Sequence, residues 1–427
     1  IKNLKDNLKY TVSLKNIKKN KIQIEISYKG KIPDSQILSS EFINLITPFI
    51  WYPVFSRYDF FDFRLSFTVP SSYRAVSQGI LISEKGTTNG KQYIYQCKNA
   101  GMIAGVILKG YKNIGRSFND GSVFNLFYST LKPLNANNFA ETIIWFLRHY
   151  TEKLGKMNLE KPVTVVCAPA GKTYDVIEPT FFIVPEQNIS GDYLGWDKFY
   201  DFFHEAGYQI AQYWWSSVKT LWLKRGLSRY CALAASERYF GTNEELRLVK
   251  IYHRKAKKIN YNRFSKSPVS LYSSNLFYGA KFPLILRLLK NFMGETNFKS
   301  FLKYLHKEQT RGLNLSKMEM LASRANKTDL KWFFRQWFEY LSIPELKLDY
   351  QIRKLLGAKY GVTLTIIQYG KDIYSFPLNI KIVTEEGNIL RRFFINKRKY
   401  KFSLSFFTKP VRVIFDEENF ILKEIVQ

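Results

Sequence analysis

Residues 202–240 read FFHEAGYQIAQYWWSSVKTLWLKRGLSRYCALAASERYF and contain the pattern that decides the fold. Apolar side chains recur three and four positions apart on both sides of a short break near residues 215–220. This periodicity predicts two amphipathic helices, at residues 196–215 and 221–240. His204 and Glu205 are neighbours on the first helix. The pair alone carries little information, because a single His on an aromatic-rich helix is more often a hydrogen-bonded core residue than a metal ligand.

The rest of the chain divides into three segments of different periodicity. Residues 1–135 alternate apolar and polar positions in short runs, which predicts strands. Residues 136–342 are rich in helical patterns and contain two short apolar runs typical of buried strands. Residues 343–427 return to alternation and predict a small antiparallel β-sandwich. The predicted class is therefore a multidomain α+β protein with boundaries at these two changes of pattern.

Individual elements follow from the same patterns. We expect strands at residues 21–28 (KIQIEISY), 61–69, 93–97, 163–167 and 181–184, and further helices at residues 140–153, 282–292 and 298–306. Ser316, with Glu319 three residues later, predicts a capping box at the start of another helix. Pro344 cannot continue a helix and marks the end of the helical segment.

Several pieces of this order resemble the aminopeptidase N family, which belongs to the gluzincin group of zinc-dependent exopeptidases. WYPVFSRYDFFDFRLSFTVPSSYRAVSQGIL (51–81) and AGVILKGYK (104–112) are similar to its N-terminal β-domain. KFPLILRLLKNFMGETNFKSFLKYL (281–305) and TDLKWFFRQWFEYLSIPELKL (328–348) are similar to the end of its catalytic domain. The resemblance covers nearly the whole chain. It implies an N-terminal β-sandwich (1–135, shorter than in the family), a thermolysin-like helix-rich α/β domain (136–342) and a C-terminal small β-sandwich (343–427).

The same resemblance implies that the catalytic positions are degenerate. Zinc in such a site needs two His four residues apart on one helix, a Glu beside the first as general base, and a Glu on the next helix. His204 matches the first zinc His and Glu205 the general base, but Tyr208 stands in place of the second His. Arg225 replaces the Glu of the family's W-L-N-E-G motif, which reads WLKRG here.

Two further positions match only loosely. Glu178 lies one place out of register with the Glu that holds the substrate's free amine in the family's G-x-M-E-N motif. Tyr278 lies one place from the expected position of the transition-state Tyr, where this chain has Gly279. We therefore expect none of these vestigial positions to function in catalysis.

The charge of Arg225 argues against a metal at this site. At an effective dielectric near 20, a unit positive charge about 4 Å from a divalent cation costs roughly 8 kcal/mol. We expect the zinc site to be lost and no other cofactor to replace it. We also expect Arg225 to pair with Glu205, since losing the metal would otherwise leave a carboxylate without a partner.

The composition limits the alternatives. The 427 residues include 65 Lys+Arg and 35 Asp+Glu, a formal net charge of +30, with four His and three Cys. The Cys are too few and too scattered for a disulfide framework or a Cys-based zinc site. The stretch that begins at Lys219 and ends at Lys266 is the densest in positive charge and could dock on an anionic membrane or wall polymer. No recognition motif accompanies the charge, which disfavours nucleic acid as a partner.

The function expected from these residues is that of a pseudopeptidase: a catalytically inactive, aminopeptidase-like scaffold that binds a peptide or protein partner. The alternative is a peptidase or hydrolase with altered or residual activity. A third reading is an adaptor that docks through the basic stretch. We expect an extracytoplasmic or membrane-associated location, and a chain that starts at Ile1 because it is a mature fragment or was cut there.

Overall fold

The structure is a computed structural model. It describes residues 25, 27, 29–46, 51–52, 61–118, 123–155, 162–169, 180–189, 196–264, 268–272, 274–357 and 359–426. The strand predicted at residues 21–28 lies largely outside the described residues.

The first part of the chain is built from strands, as the alternating pattern predicts. They are β1 (Ile37–Ser39), β2 (Phe42–Asn44), β3 (Phe61–Val69), β4 (Tyr73–Ser77), β5 (Ile80–Thr87), β6 (Gly90–Ala100) and β7 (Gly105–Lys109). One sheet has the order β1-β2-β7-β4 and another the order β3-β6-β5, with antiparallel neighbours. Strand β3 coincides with the predicted strand at 61–69. The predicted strand at 93–97 lies within β6.

A mixed sheet links this part to the helices. It contains β8 (Lys112–Ser117), β9 (Val123–Tyr128), β10 (Val163–Ala168) and β11 (Phe181–Pro185) in the order β11-β10-β9-β8. Strand β9 pairs in parallel with β10, which in turn pairs in parallel with β11. All six residues of β10 are buried, which explains its continuous apolar sequence. The sheet therefore spans the boundary that the change of pattern places at residue 135.

The helical part follows. Its α-helices are α1 (Pro133–Leu154), α2 (Trp196–Trp214), α3 (Leu221–Phe240), α4 (Thr242–Ala256), α5 (Pro268–Tyr272), α6 (Phe282–Met293), α7 (Glu295–Glu308), α8 (Leu315–Asn326) and α9 (Lys331–Phe334). Short 3-10 turns occur at Asp34–Gln36, Glu186–Asn188, Tyr261–Phe264 and Gln309–Arg311, and π turns at Phe277–Lys281 and Arg335–Glu339. In the described part of the chain, no helix is both long enough and apolar enough to cross a membrane.

Two glycines allow the central helices to approach their neighbours closely. A Cβ on Gly207 of α2 would lie 2.6 Å from the ring of Phe146 on α1. A Cβ on Gly226 of α3 would lie 2.3 Å from the ring of Phe282 on α6. Any larger side chain would push these helices apart. The two glycines thus fix the depth at which α2 and α3 lie in the core.

The predicted capping box at Ser316 and Glu319 is wrong. Helix α8 begins at Leu315, and its N-cap is Asn314, whose side chain accepts a hydrogen bond of 2.9 Å from the backbone N–H of Lys317. Asn is as good an N-cap as Ser, and it lies one residue before the helix, where the free N–H groups point. Ser316 is already inside the first turn.

The last part is a pair of antiparallel sheets, as predicted from residues 343–427. The strands are β12 (Glu345–Lys354), β13 (Tyr360–Tyr369), β14 (Phe376–Thr384), β15 (Gly387–Ile395), β16 (Lys399–Phe406), β17 (Pro410–Phe415) and β18 (Glu424–Ile425). The sheets have the orders β16-β13-β12-β18 and β15-β14-β17; only the short β12–β18 pair is parallel. Their buried faces belong to one hydrophobic cluster with the helices. The whole architecture is thus of the mixed α+β type.

A buried ion pair joins this last part to the helices. Arg287 of α6 donates to Glu245 of α4 at 2.7 Å, and the same guanidinium donates to the carbonyl of Glu418 at 2.9 Å. Arg287 is 3% and Glu245 8% exposed. The carbonyl satisfies a donor that the carboxylate does not reach, as a buried charge requires.

Candidate functional site

His204 lies on α2 and is buried, with 6% of its surface exposed. Its Nδ1 is 3.3 Å from the hydroxyl of Ser236 on α3, and its Nε2 is 2.5 Å from the hydroxyl of Tyr252 on α4. Burial, followed by the nearby charge of Arg229, lowers the pKa of His204 well below its ordinary value. The ring is therefore neutral, and side chains of two other helices engage both of its nitrogens.

Glu205, the next residue, is half exposed and turns toward α3. Its Oε2 accepts a hydrogen bond of 2.7 Å from Nη1 of Arg229, and its Oε1 accepts one of 2.8 Å from the amide of Gln209. Gln209 in turn accepts a hydrogen bond from Gln212, one turn further along α2. Both oxygens of the carboxylate that matches a general base are thus engaged by neighbouring side chains.

Arg229 also covers the ring of Tyr208. Its guanidinium carbon lies 3.6 Å from the ring centroid, a close cation–π contact. Burial opposes the positive charge of Arg229, but the charge of Glu205, the hydroxyl groups of Tyr252 and Tyr208 and the hydrogen bond to Glu205 together outweigh it, and the pKa of the guanidinium is raised. Burial raises the pKa of the Tyr208 hydroxyl, so the residue stays a neutral phenol. One permanent cation therefore contacts the residues that match the general base and the second zinc ligand.

The predicted ion pair between Arg225 and Glu205 is wrong. Glu205 pairs with Arg229, whereas Nη1 of Arg225 donates a hydrogen bond of 2.9 Å to the hydroxyl of Tyr278. Four residues along a helix correspond to about 6 Å of rise, so only one of the two arginines can lie level with Glu205. The axial position of α3 beside α2 selects Arg229.

Tyr278 reaches this site from the π turn at Phe277–Lys281. Because a π turn accommodates one extra residue, it changes the direction in which the following side chains point. The guanidinium of Arg225 also lies 5.2 Å from the centroid of the Tyr278 ring. The structure thus brings together Tyr208, Arg225 and Tyr278, although Tyr278 is one place out of register in the sequence. Glu178 lies outside the described residues.

The other histidines lie apart from this site. His149 stacks on Trp145 at 4.7 Å, Nε2 of His253 lies 3.0 Å from the carbonyl of Asn419, and His306 meets the edge of Trp215. Among the described residues, no group of three or more His, Cys, Asp or Glu side chains is arranged to hold a metal. His204 has both nitrogens engaged and the positive charge of Arg229 acts on it, so these side chains do not fit a zinc ion.

Sequence reasoning missed three contributors to the site: Arg229, Ser236 and Tyr252. Arg229 lies four residues after Arg225 on the same helix, and that spacing could have indicated it. Tyr252 lies in the run KIYHRKAKK (250–258), whose density of positive charge predicts a solvent-exposed helix face. Helix α4 instead buries Leu248, Val249, Tyr252 and Ala256, so only the charged positions between them are exposed. The apolar periodicity of α4 therefore indicates the burial of Tyr252 better than the charge of the run does.

Neither a protein-family model nor a curated protein matches this chain. Among solved structures, the chain is similar to aminopeptidase A of Legionella pneumophila in complex with aspartic acid, with a TM-score of 0.62 and 16% sequence identity. The match covers 83% of this chain and 43% of the Legionella chain. The chain therefore has the fold of an aminopeptidase-type peptidase over most of its length and spans less than half the length of that relative.

Proposed function

We propose that this chain is a non-catalytic, aminopeptidase-like protein that keeps the peptidase fold to bind a peptide or protein partner. The observation that carries the proposal is the position of Arg229. Its guanidinium donates to Glu205 at 2.7 Å and covers the ring of Tyr208 at 3.6 Å. A fixed positive charge thus contacts the side chains that would surround a catalytic metal.

Electrostatics support the loss of zinc. A guanidinium about 4 Å from a divalent cation costs roughly 8 kcal/mol at an effective dielectric of 20, and a permanent cation cannot relieve this by deprotonation. The positive charge of Arg225 also acts on Tyr208. Tyr208 is no substitute ligand, because its hydroxyl would have to lose a proton whose pKa burial has raised.

The contacts of His204 support the same proposal. Its ring nitrogens bond to Ser236 and Tyr252, so the imidazole ties α2 to α3 and α4. A zinc ligand would leave one nitrogen for the metal and use the other for a supporting contact. This use of both nitrogens supports a binding scaffold whose former catalytic residues now stabilise the fold.

Metal analysis combined with a hydrolysis assay tests the proposal. The full chain is purified, dialysed against zinc, and assayed for metal content and for cleavage of aminoacyl p-nitroanilides. We expect no stoichiometric zinc and no hydrolysis above the blank. Glu205→Gln is the matched control, since turnover that it abolishes must depend on this carboxylate.

Stoichiometric zinc, or turnover that Glu205→Gln abolishes, would reject the proposal in favour of a hydrolase with altered activity.

Attachment to a membrane or surface is a separate part of the same proposal. It is supported by the exposed cations Lys250, Arg254 and Lys258 of α4 and the segment after it. Salt-sensitive retention on anionic vesicles, lost when these three are changed to Gln, is the result expected.

A further inference from the structure

Arg225 is the cation of the site that has no carboxylate partner. Among the described residues it forms no ion pair, and its contacts are the hydroxyl and the ring of Tyr278. Glu205, the carboxylate close by, is already engaged by Arg229 and Gln209. Of the two guanidinium groups only that of Arg229 has a carboxylate partner, so among the described residues the charge of Arg225 is uncompensated.

The surroundings of Arg225 strengthen this charge. Arg225 lies in the second turn of α3, whose first turn contains no acidic residue and whose N-cap Thr220 makes no capping hydrogen bond through its side chain. The positive end of the helix dipole is therefore not offset by a side chain of its own helix. Arg225 and Tyr278 are both half-buried, so a ligand can reach them without unfolding the site.

The donors of the two residues match one kind of ligand group. A guanidinium has five N–H donors in a planar fork, and one N–H of Arg225 is used on Tyr278. The Tyr278 hydroxyl accepts that bond and keeps its own O–H free to donate. A carboxylate can accept two parallel hydrogen bonds from the remaining guanidinium edge and a third from the hydroxyl.

We propose that Arg225 and Tyr278 bind the carboxylate of a peptide ligand. The inference rests on the proposed function and specifies its ligand: a peptide recognised through a negative group, either its C-terminus or an Asp or Glu side chain. An amine is disfavoured, because Glu205 is engaged and both neighbouring charges are positive.

Ligand-observed NMR titration of the full chain tests this. The probes are acetyl-trialanine, whose single charge is its C-terminal carboxylate, acetyl-trialanine amide, and the same amide with aspartate in the middle position. We expect the free acid to bind about tenfold more tightly than the neutral amide, in keeping with a charge-assisted, bidentate contact. Binding of the aspartate peptide tells whether a side-chain carboxylate is also accepted; either carboxylate supports the proposal if its binding needs Arg225.

Variants separate this contact from general attraction to a basic protein. Arg225→Gln should reduce binding of the acid to that of the amide, and Arg225→Lys and Tyr278→Phe should give intermediate values. Arg412→Gln removes an equal charge from an exposed position of β17 and should leave binding unchanged. Thermal melts of each variant confirm that it is folded.

The inference is overturned if neither the free acid nor the aspartate peptide binds more tightly than the neutral amide, if no probe binds, or if Arg225→Gln and Arg412→Gln lose binding equally. Those outcomes leave the non-catalytic assignment intact, because that assignment depends on metal content and hydrolysis. Conversely, zinc-dependent turnover would reject the assignment whatever the peptides do.

Discussion

Nη1 of Arg229 lies 2.7 Å from Oε2 of Glu205, which joins α3 to α2 at the centre of the site. The Arg229 side chain is 18% and the Glu205 side chain 45% exposed, so solvent weakens their attraction. The contact of Arg229 with Tyr208 is better shielded, since Tyr208 is 7% exposed. Arg229 therefore stabilises the site through two partners of different kinds.

We expect Arg229→Gln to lower the free energy of unfolding by about 2 kcal/mol, because it removes an ion pair and a cation–π contact. Glu205→Gln should cost about 1 kcal/mol or less, since the ring contact survives. A double-mutant cycle measured by urea denaturation should give a coupling of roughly 0.5–1 kcal/mol. The pair Lys31 and Asp34, whose side chains are 82% and 84% exposed, is the control and should show almost no coupling. Strict additivity at Arg229 and Glu205 would contradict the prediction.

A second prediction concerns the hydrogen bond between His204 and Tyr252. Tyr252→Phe leaves Nε2 of His204 buried without a partner and should lower the free energy of unfolding by about 1–2 kcal/mol. Tyr350→Phe, at an exposed tyrosine of β12, should change it by less than about 0.5 kcal/mol. Thermal and urea denaturation measure both. If the two variants unfold alike, His204 does not depend on Tyr252.

The helices of the site could be predicted closely from the sequence. The apolar spacing predicts a helix at 221–240 and α3 occupies Leu221–Phe240, while the helix predicted at 196–215 differs from α2 by one residue. Long amphipathic helices with buried aromatic residues are determined by local pattern and by burial together. The same holds for the antiparallel strands of the last part, whose inward positions are the apolar ones.

The contacts between these helices could not be predicted in the same way. Spacing along α3 does not reveal which of its turns lies level with Glu205, and a displacement of one turn, about 5.4 Å, exchanges Arg225 for Arg229. Tyr252 is 48 residues from His204, and their bond depends on how α4 packs. The sheet in which β9 pairs with β10 likewise joins segments separated by the whole of α1. Such relationships come from tertiary packing, which linear patterns do not encode.

His149 should make the protein sensitive to acid. Burial, followed by the charge of Lys153, lowers its pKa from 6.5 to about 4. Between these values the unfolded chain binds a proton that the folded chain does not, so stability falls as the pH falls through this window. His149→Phe keeps a ring against Trp145 and removes the proton. As the pH falls from 7 to 4, the free energy of unfolding of this variant should rise by roughly 3 kcal/mol relative to that of wild type.

Urea denaturation at several pH values measures this difference. Because His253 and His204 also have lowered pKa values, both proteins keep some loss of stability in acid, and only the difference between them reports on His149. Parallel stability curves for the two proteins from pH 7 to pH 4 would refute the prediction.

Replacing Lys281 should give the largest gain in stability among these variants. It ends the π turn that carries Tyr278, it is 0% exposed, and its Nζ has no hydrogen-bond partner among the described residues. The ring of Tyr261 lies 4.9 Å from Nζ, and the Tyr261 hydroxyl is likewise buried without a partner in the described part of the chain. Burial lowers the pKa of Lys281 from 10.5 to about 7. The fold therefore favours the neutral amine.

The sign of the pH dependence follows from these two values. Between pH 7 and 10.5 the unfolded chain binds the proton of Lys281 more fully than the folded chain does, so wild-type stability should rise with pH through this window. Below about pH 7 both states are protonated and the cost of the buried charge is complete. Lys281→Met fills a similar volume without a charge. It should stabilise the protein by several kcal/mol at pH 7, on the order of 4, and by progressively less toward pH 10.

Urea denaturation of wild type and Lys281→Met from pH 6 to pH 10 measures both the gain and its slope. Lys250→Met, at an exposed position of α4, is the control and should follow the wild-type curve. A gain that does not change with pH would mean that Met simply packs better than Lys at this position. A loss of stability would mean that the amine has a partner that stabilises its charge, which the burial of Nζ next to the Tyr261 ring argues against.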